Sequence, residues 1–275
     1  MQVEKQSNSP LVSVLIPAYN CSEYIEHAIL SMLDQTYTNL EIIAIDDGST
    51  DDTWTKLQKI KDDRLKLLKN KENLKIVGTL NKGIRLAKGK YIARMDGDDF
   101  SYADRIEKQV QYLELNDDVV IVGGAIEVCD ANMNVNNHRK YPLDDAAIRA
   151  KIFRYNPFAH PAVMIRKSAI DETGYELNWA EDYDMWFRLG RVGKLANLAD
   201  TVLKLRTHPA SVSQSKVTYQ EKLTLYIRIK AIFEYGYVMT LADKIYFFAQ
   251  LIGIYVVPAK LKFYIFSKIR GTNKK

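Results

Sequence analysis

The chain has 275 residues, 47% apolar and 27% charged, with a formal net charge of +5. That suits a soluble globular protein with a sizeable core, built as one large domain or one domain with an appendage. Its two cysteines, Cys21 and Cys129, exclude a disulfide framework and match no metal-binding spacing, so a reducing cytoplasm is the default.

The opening stretch "MQVEKQSNSP" has no apolar core after its basic residue, so no signal peptide is expected. "LVSVLIP" (11–17) reads as a buried strand stopped by Pro17. "SEYIEHAILSML" (22–33) reads as a helix, with Ile25, Ala28, Ile29, Met32 and Leu33 at helical spacing and Ser22 as its N-cap. "EIIAI" (41–45) is a second buried strand, ending in the turn-forming "DDGSTDDT" (46–53), which can cap the next helix. "RLKLLKN" (64–70) is a third strand, "TLNKGIRLAKG" (79–89) a helix closed by Gly89, and "KYIARM" (90–95) a fourth strand. This alternation predicts a parallel sheet with helices on both faces, and such sheets bind ligands at the carboxyl ends of their strands. Three polar segments converge there: "PAYN" (17–20), "DDGS" (46–49) and "DGDD" (96–99).

Further on, "DRIEKQVQYLELN" is a helix, "VVIVGGAIEVCD" (119–130) a strand or hairpin arm, and "DANMNVNNH" (130–138) an exposed turn. "NPFAHPAVMIRKSAI" (156–170) is a loop feeding a strand, and "EDYDMWFRLGRVG" (181–193) a helix closed by Gly193. "VLKLRTHPASVSQS" (202–215) is a strand followed by a polar loop, and a helical tail follows. Charge divides unevenly. From Lys204 onward there are 13 Lys+Arg and 3 Asp+Glu; before it there are 26 and 31. A basic tail behind an acidic front points to a polyanionic partner, either nucleic acid or an anionic membrane surface.

Each candidate site carries two readings. Asp96 and Asp98, two apart just past a strand, can offer oxygens to one hard cation, or form a solvated acidic turn. Asp46 and Asp47 can accept hydrogen bonds from a base or a ribose, or cap the following helix. Tyr19 can stack on a base or simply pack. Glu181 and Asp182 open a helix, where the dipole favours anions; one can act as general base, or both can merely cap. His208, with Ser211 and Ser213, can ligate metal or phosphate, and His160 is equally open.

In order and spacing, "VSVLIPAYNCSEYIEHAILSMLDQTYTNLEIIAIDDGSTDDT", "NKGIRLAKGKYIARMDGDD", "HPAVMIRKSAI" and "AEDYDMWFRL" resemble the family 2 glycosyltransferases of the GT-A fold, from about Val12 to Ser213. The resemblance implies an α/β nucleotide-sugar-binding fold with a mostly parallel central sheet flanked by helices. It implies a GT-A domain over 1–215 and a basic, aromatic-rich helical extension over 216–275. It also implies inverting transfer of one sugar, usually from a UDP-sugar, to a hydroxyl acceptor. Carried over by position, Pro17, Ala18, Tyr19 and Asp47 hold the uracil, and Asp96 lies near the ribose. Asp98 ligates Mn²⁺ or Mg²⁺ on the diphosphate, Asp182 is the base with Glu181 beside it, and His208 completes the metal or diphosphate site. Lys82 and Arg105 lie in matching segments. Gly97 departs from the pattern, which more often has Ala there. The processive members' Gln-x-x-Arg-Trp signature is absent, so one sugar per visit is expected. A catalytically inactive nucleotide-sugar binder is the alternative. No nucleic-acid recognition motif is present, and the acidic front opposes phosphate.

In the tail, "KIYFFAQLIGIYVVPAKLKFYIFSKIRGTNKK" (244–275) has an apolar stretch, Ile245 to Val257, too short to span a bilayer. It reads as a helix lying in an anionic membrane interface, or as one packed on the domain. The first reading makes the acceptor a lipid-linked glycan or lipooligosaccharide, built at the inner face of the membrane by a peripherally bound cytoplasmic protein.

Overall fold

The computed structural model describes residues 9–170, 173–207 and 217–256. Its first half is the expected alternation: β1 (Val12–Ala18), α1 (Ile25–Leu33), β2 (Leu40–Asp46), α2 (Thr53–Lys59), β3 (Leu65–Lys69), α3 (Lys75–Leu86) and β4 (Tyr91–Arg94). Strands β3, β2, β1 and β4 pair in that order, all parallel. Ala18 pairs with Asp46 and Asp46 with Lys69, so the segments after these strands leave one sheet edge together.

The second half turns the sheet into a mixed one. After the short β5 (Phe100–Ser101) and α4 (Arg105–Leu115) come β6 (Val119–Cys129), β7 (Val135–Arg139), α5 (Asp145–Arg149), β8 (Met164–Arg166), α6 (Glu181–Val192) and β9 (Lys194–Arg206). β8 pairs antiparallel with both β4 and β6, β9 lies parallel to β6, and β5 closes the order antiparallel to β9. The Asn-rich segment is a turn only to Asn134; β7 then pairs with β6. Helices α7 (Val217–Phe233) and α8 (Leu241–Val256) follow.

Strand periodicity divides the core in two. Val12, Val14 and Ile16 face one cluster with Ile25 and Ile29 of α1, Leu57 of α2, and Ile106 and Val110 of α4. Leu15, Ile43, Ile45 and Ile92 face the other, with Leu80 of α3, Tyr183 and Trp186 of α6, and Ile227 and Ala231 of α7. Helices therefore cover both faces, as expected. The described part of the tail shares this second core, because Tyr235, Tyr237 and Phe247 also pack against it.

Three local expectations are corrected. Ser22 does not cap α1; its N–H donates to Asp51 Oδ2 at 3.1 Å, and the helix starts three residues later. Asp46 and Asp47 do not cap α2; Asp51 Oδ1 accepts from Thr53 N at 3.0 Å and Thr53 Oγ1 at 2.6 Å. Gly89 does not end α3, which stops at Leu86. Gly89 N donates instead to Ser13 Oγ at 2.8 Å, where β4 is about to run beside β1.

Candidate active site

At the end of β1, Pro17 is half-buried and Ala18 buried, while Tyr19 is 48% exposed and so presents its ring to solvent rather than to the core. Asn20 sits at φ 48° and ties this loop to the next. Its N–H donates to Ser49 Oγ at 3.0 Å, and its Oδ1 accepts from Thr50 N at 2.9 Å. Gly48, at φ +73°, makes the turn between them; a side chain there would also press on the Glu72 backbone at 3.0 Å.

The β2 carboxylates point apart. Asp46 Oδ1 accepts from Ser49 N at 3.3 Å, and its buried Oδ2 has no hydrogen bond, with Lys69 Nζ 3.9 Å away. Asp47 Oδ1 accepts from Asn70 Nδ2 at 2.8 Å and Leu74 N at 2.9 Å. Asn70 Oδ1 in turn accepts from Lys82 Nζ at 2.6 Å. Lys82 thus reaches Asp47 through an amide that sequence reasoning missed.

The carboxylate cluster follows β4. Among the described residues, oxygens of Asp96, Asp98 and Asp99 all lie within 4.8 Å of one another. The nearest answer to that negative charge is Arg94, 5% exposed, whose Nη1 and Nη2 each lie 2.5 Å from an Asp96 oxygen. Arg105, fully buried, braces this strand end by donating Nη2 to the Arg94 carbonyl at 2.7 Å. From β9, Arg206 donates its N–H to Asp99 Oδ1 at 2.9 Å and its Nε to the Asp98 carbonyl at 2.8 Å. Its guanidinium lies 4.3 Å from the Tyr24 ring centre. Burial and the neighbouring acids push the Asp99 carboxyl well above its ordinary range, and Asp99 Oδ2 is buried with no hydrogen-bond partner. An orphaned buried oxygen beside two more carboxylates fits a hard divalent cation. Asp98, backed by Asp99, would hold it, since Arg94 occupies Asp96. Gly97 is tight here: a Cβ would meet Cys21 Sγ at 3.0 Å and Ile25 Cδ1 at 3.1 Å. Cys21 and Cys129 are both free thiols.

The second acidic pair opens α6. Asp182 Oδ2 accepts from Asn156 Nδ2 at 2.6 Å and its Oδ1 from Tyr183 N at 2.7 Å. Asn156 Oδ1 is itself held by Trp186 Nε1 at 2.9 Å. Glu181 Oε2 accepts from Trp179 N at 3.0 Å, in a segment where Leu177 and Trp179 both take positive φ, 56° and 86°. Such strain persists only where surroundings enforce it, and it clusters at functional sites. His160, buried, lies with Nδ1 3.8 Å from Glu181 Oε1 and Nε2 3.1 Å from the Tyr175 hydroxyl. Burial, with Arg94 nearby, holds His160 neutral. Burial and then the Asp182 charge push the Glu181 carboxyl up to about 7; burial also raises Asp182. A carboxyl raised to about 7 beside a second acid raised by burial suits proton transfer.

The family model for glycosyl transferase family 2 matches residues 13–174. The chain belongs to this family. A Haemophilus influenzae relative described only as an uncharacterized glycosyltransferase is 36% identical over 243 residues, covering 80% of this chain and 75% of that protein. The Escherichia coli UDP-Glc:alpha-D-GlcNAc-diphosphoundecaprenol beta-1,3-glucosyltransferase WfaP is 32% identical, covering 75% of this chain and 81% of its own. In structure, S. aureus TarS in complex with UDP-GlcNAc superposes with a TM-score of 0.66 at 17% identity, covering 91% of this chain and 77% of that one. Pyrobaculum calidifontis mannosyltransferase PcManGT, in complex with GDP-Man and Mn²⁺, has a TM-score of 0.62 at 15% identity, covering 91% of this chain and 71% of that one. The fold of this family 2 glycosyltransferase is accordingly GT-A.

The structure brings Pro17–Tyr19, Asp47 and Lys82 to one side of the sheet edge and Asp96–Asp99 beside them. His208 lies outside the described residues. Arg94, Asn70, Asn156 and Arg206 are the site's supporting groups that sequence reasoning passed over. Arg94 alone left a signal, a charge in an otherwise apolar strand, which must be paired when buried. No helix among the described residues is long and apolar enough to cross a membrane.

Proposed function

We propose that this family 2 glycosyltransferase transfers one sugar, with inversion, from a UDP-sugar to a hydroxyl of a glycan or lipid-linked acceptor. The observation that carries the reading is electrostatic. Burial raises both Asp96 and Asp182, the single guanidinium of Arg94 works against that rise at each, and the two carboxylates lie close enough for Asp182 to add to the rise at Asp96. A donor-side and an acceptor-side acid group thus share one small space, as in-line displacement requires.

In this reading Tyr19 and Asp47 hold the uracil, with Lys82 and Asn70 setting the Asp47 carboxylate, and Asp96 lies near the ribose. A divalent cation, Mn²⁺ or Mg²⁺, held by Asp98 with Asp99 would neutralise the diphosphate leaving group. Asp182, aimed by Asn156, takes the acceptor proton, and Glu181 beside it sets the pH at which that happens. His208 completes the metal or diphosphate site. The names of relatives support the chemistry: WfaP uses UDP-Glc and a diphosphoundecaprenol-linked acceptor, and TarS holds UDP-GlcNAc. A lipid-linked acceptor would place the protein peripherally on the inner membrane face. We take residues 1–215 as the catalytic domain and 216–275 as its extension.

The test is calorimetric titration with UDP, with and without Mn²⁺, on wild type and Asp98→Ala. Metal-dependent UDP binding that Asp98→Ala abolishes is the expected result, followed by transfer in a UDP-sugar screen. UDP binding that ignores both metal and Asp98 would overturn the metal assignment, and no UDP binding at all would overturn the donor. An inactive binder would bind UDP and transfer nothing from any donor.

A further inference from the structure

Helix α8 is apolar on two opposite sides. Asp243, Phe247 and Ile254 turn inward: Asp243 and Ile254 are buried, Phe247 packs on the second core, and Arg154 Nε meets Asp243 Oδ1 at 2.7 Å. Leu241, Ile245, Phe248 and Ile252 follow one another at spacings of four, three and four, which align side chains on one helix face. That face is the outward one, at 75%, 62%, 59% and 59% exposure. Phe233 and Val238, just before it, are 82% and 85% exposed. Single exposed apolar residues are ordinary, but an aligned stripe marks a contact surface.

Charge selects the occupant. Residues 217–275 hold ten Lys+Arg against three Asp+Glu, and the chain beyond α8, from 257, carries six Lys+Arg and no acid. Of the three acids, Asp243 is already buried and paired. Protein interfaces are depleted in lysine. An apolar stripe followed by lysines and aromatic residues instead matches the boundary of an anionic bilayer, apolar side chains below the headgroups and cations among them. We propose that the Leu241–Ile252 face of α8 docks this protein on an anionic lipid surface. This deepens the peripheral location suggested above and does not depend on the donor assignment.

The experiment is vesicle flotation of the full chain, with phosphatidylcholine alone and with added phosphatidylglycerol, at low and high salt. Wild type is expected to float with the anionic vesicles and to be released by salt. The double variant Ile245→Glu/Phe248→Glu is expected to lose about tenfold in vesicle affinity, because two apolar anchors become charged, while binding UDP as wild type does. Phe248→Trp should show an emission blue shift on adding the same vesicles. Failure of wild type to float, equal flotation of the double variant, or an unshifted tryptophan would each overturn the proposal. So would a dimer that the double variant splits without changing flotation, since a second copy would then be the occupant. Flotation without UDP binding would sink the donor reading and leave this one standing.

Discussion

Arg94 and Asp96 form a two-pronged ion pair at the end of β4, with both terminal guanidinium nitrogens 2.5 Å from carboxylate oxygens. The arginine side chain is 6% exposed and the aspartate 34%. The density of negative charge in the DGDD loop is therefore answered first from within the chain, and a cation has only the remaining charge to balance. Lysine cannot reproduce the planar fork. Arg94→Lys is expected to weaken Mn²⁺-dependent UDP binding several-fold with little loss of stability. Arg94→Met should cost about 1–2 kcal/mol by urea denaturation, because it leaves a half-buried carboxylate without its partner. Equal stability of Arg94→Met and wild type would show the pair to be incidental.

Glu181 supplies a pH signature. Its carboxyl rises from an ordinary 4.5 to about 7, chiefly through burial. Transfer should therefore climb with pH through about 7, and Glu181→Gln should move that limb, because the carboxyl that titrates there is gone. Stability runs the other way. The folded state holds this proton more tightly than the unfolded chain, so the Glu181 contribution is full below 4.5 and is lost as pH rises toward 7. Glu181→Gln should thus gain stability over wild type at pH 8 and not at pH 4 (both values bracket the window at about one unit or less). A limb unmoved in Glu181→Gln would remove this residue from the proton transfer.

Asn70 joins Lys82 to Asp47, donating to the acid at 2.8 Å and accepting from the lysine at 2.6 Å. Asn70→Leu keeps the branching and the number of side-chain heavy atoms and breaks both bonds. It is expected to lower UDP affinity about tenfold, on the scale of one or two hydrogen bonds to charged groups, with binding of Mn²⁺ alone unchanged. Calorimetry at matched metal concentration checks this, and wild-type affinity would contradict it.

Arg228 links the tail to the proposed base, Asp182. Buried in α7, it donates Nε to the Tyr183 hydroxyl at 3.0 Å and Nη1 to Gln250 Oε1 of α8 at 2.5 Å. Tyr183 follows Asp182 directly, and its hydroxyl bonds the Ile152 carbonyl in the segment leading to Asn156. Arg228→Met is expected to lower kcat several-fold while donor affinity stays at the wild-type value. A merely structural role would lower the melting temperature and leave kcat per folded molecule unchanged.

Much of this was legible in the chain alone. The short apolar runs around Val14 and Ile43 specify strands buried on both faces, and the helical spacing of Ile25, Ile29 and Met32 specifies the buried side of α1; both depend only on neighbours along the sequence. The positions of "PAYN", "DDGS" and "DGDD" after strands follow from the same pattern, as does their meeting at one edge once the strands are parallel. Motif order then named the family.

The partners of the polar groups were not legible. Asp51, not Asp46 or Asp47, accepts from Thr53 N at the start of α2; Asn70 holds Asp47 from 23 residues away and Arg206 holds Asp99 from 107. A carboxylate or amide bonds whatever the fold brings within about 3 Å, and no local period encodes that distance. The outward face of α8 has the same origin. The sequence determines that this helix is apolar on two sides, but only packing on the second core and against Arg228 and Arg154 decides which side is covered and which is left to solvent.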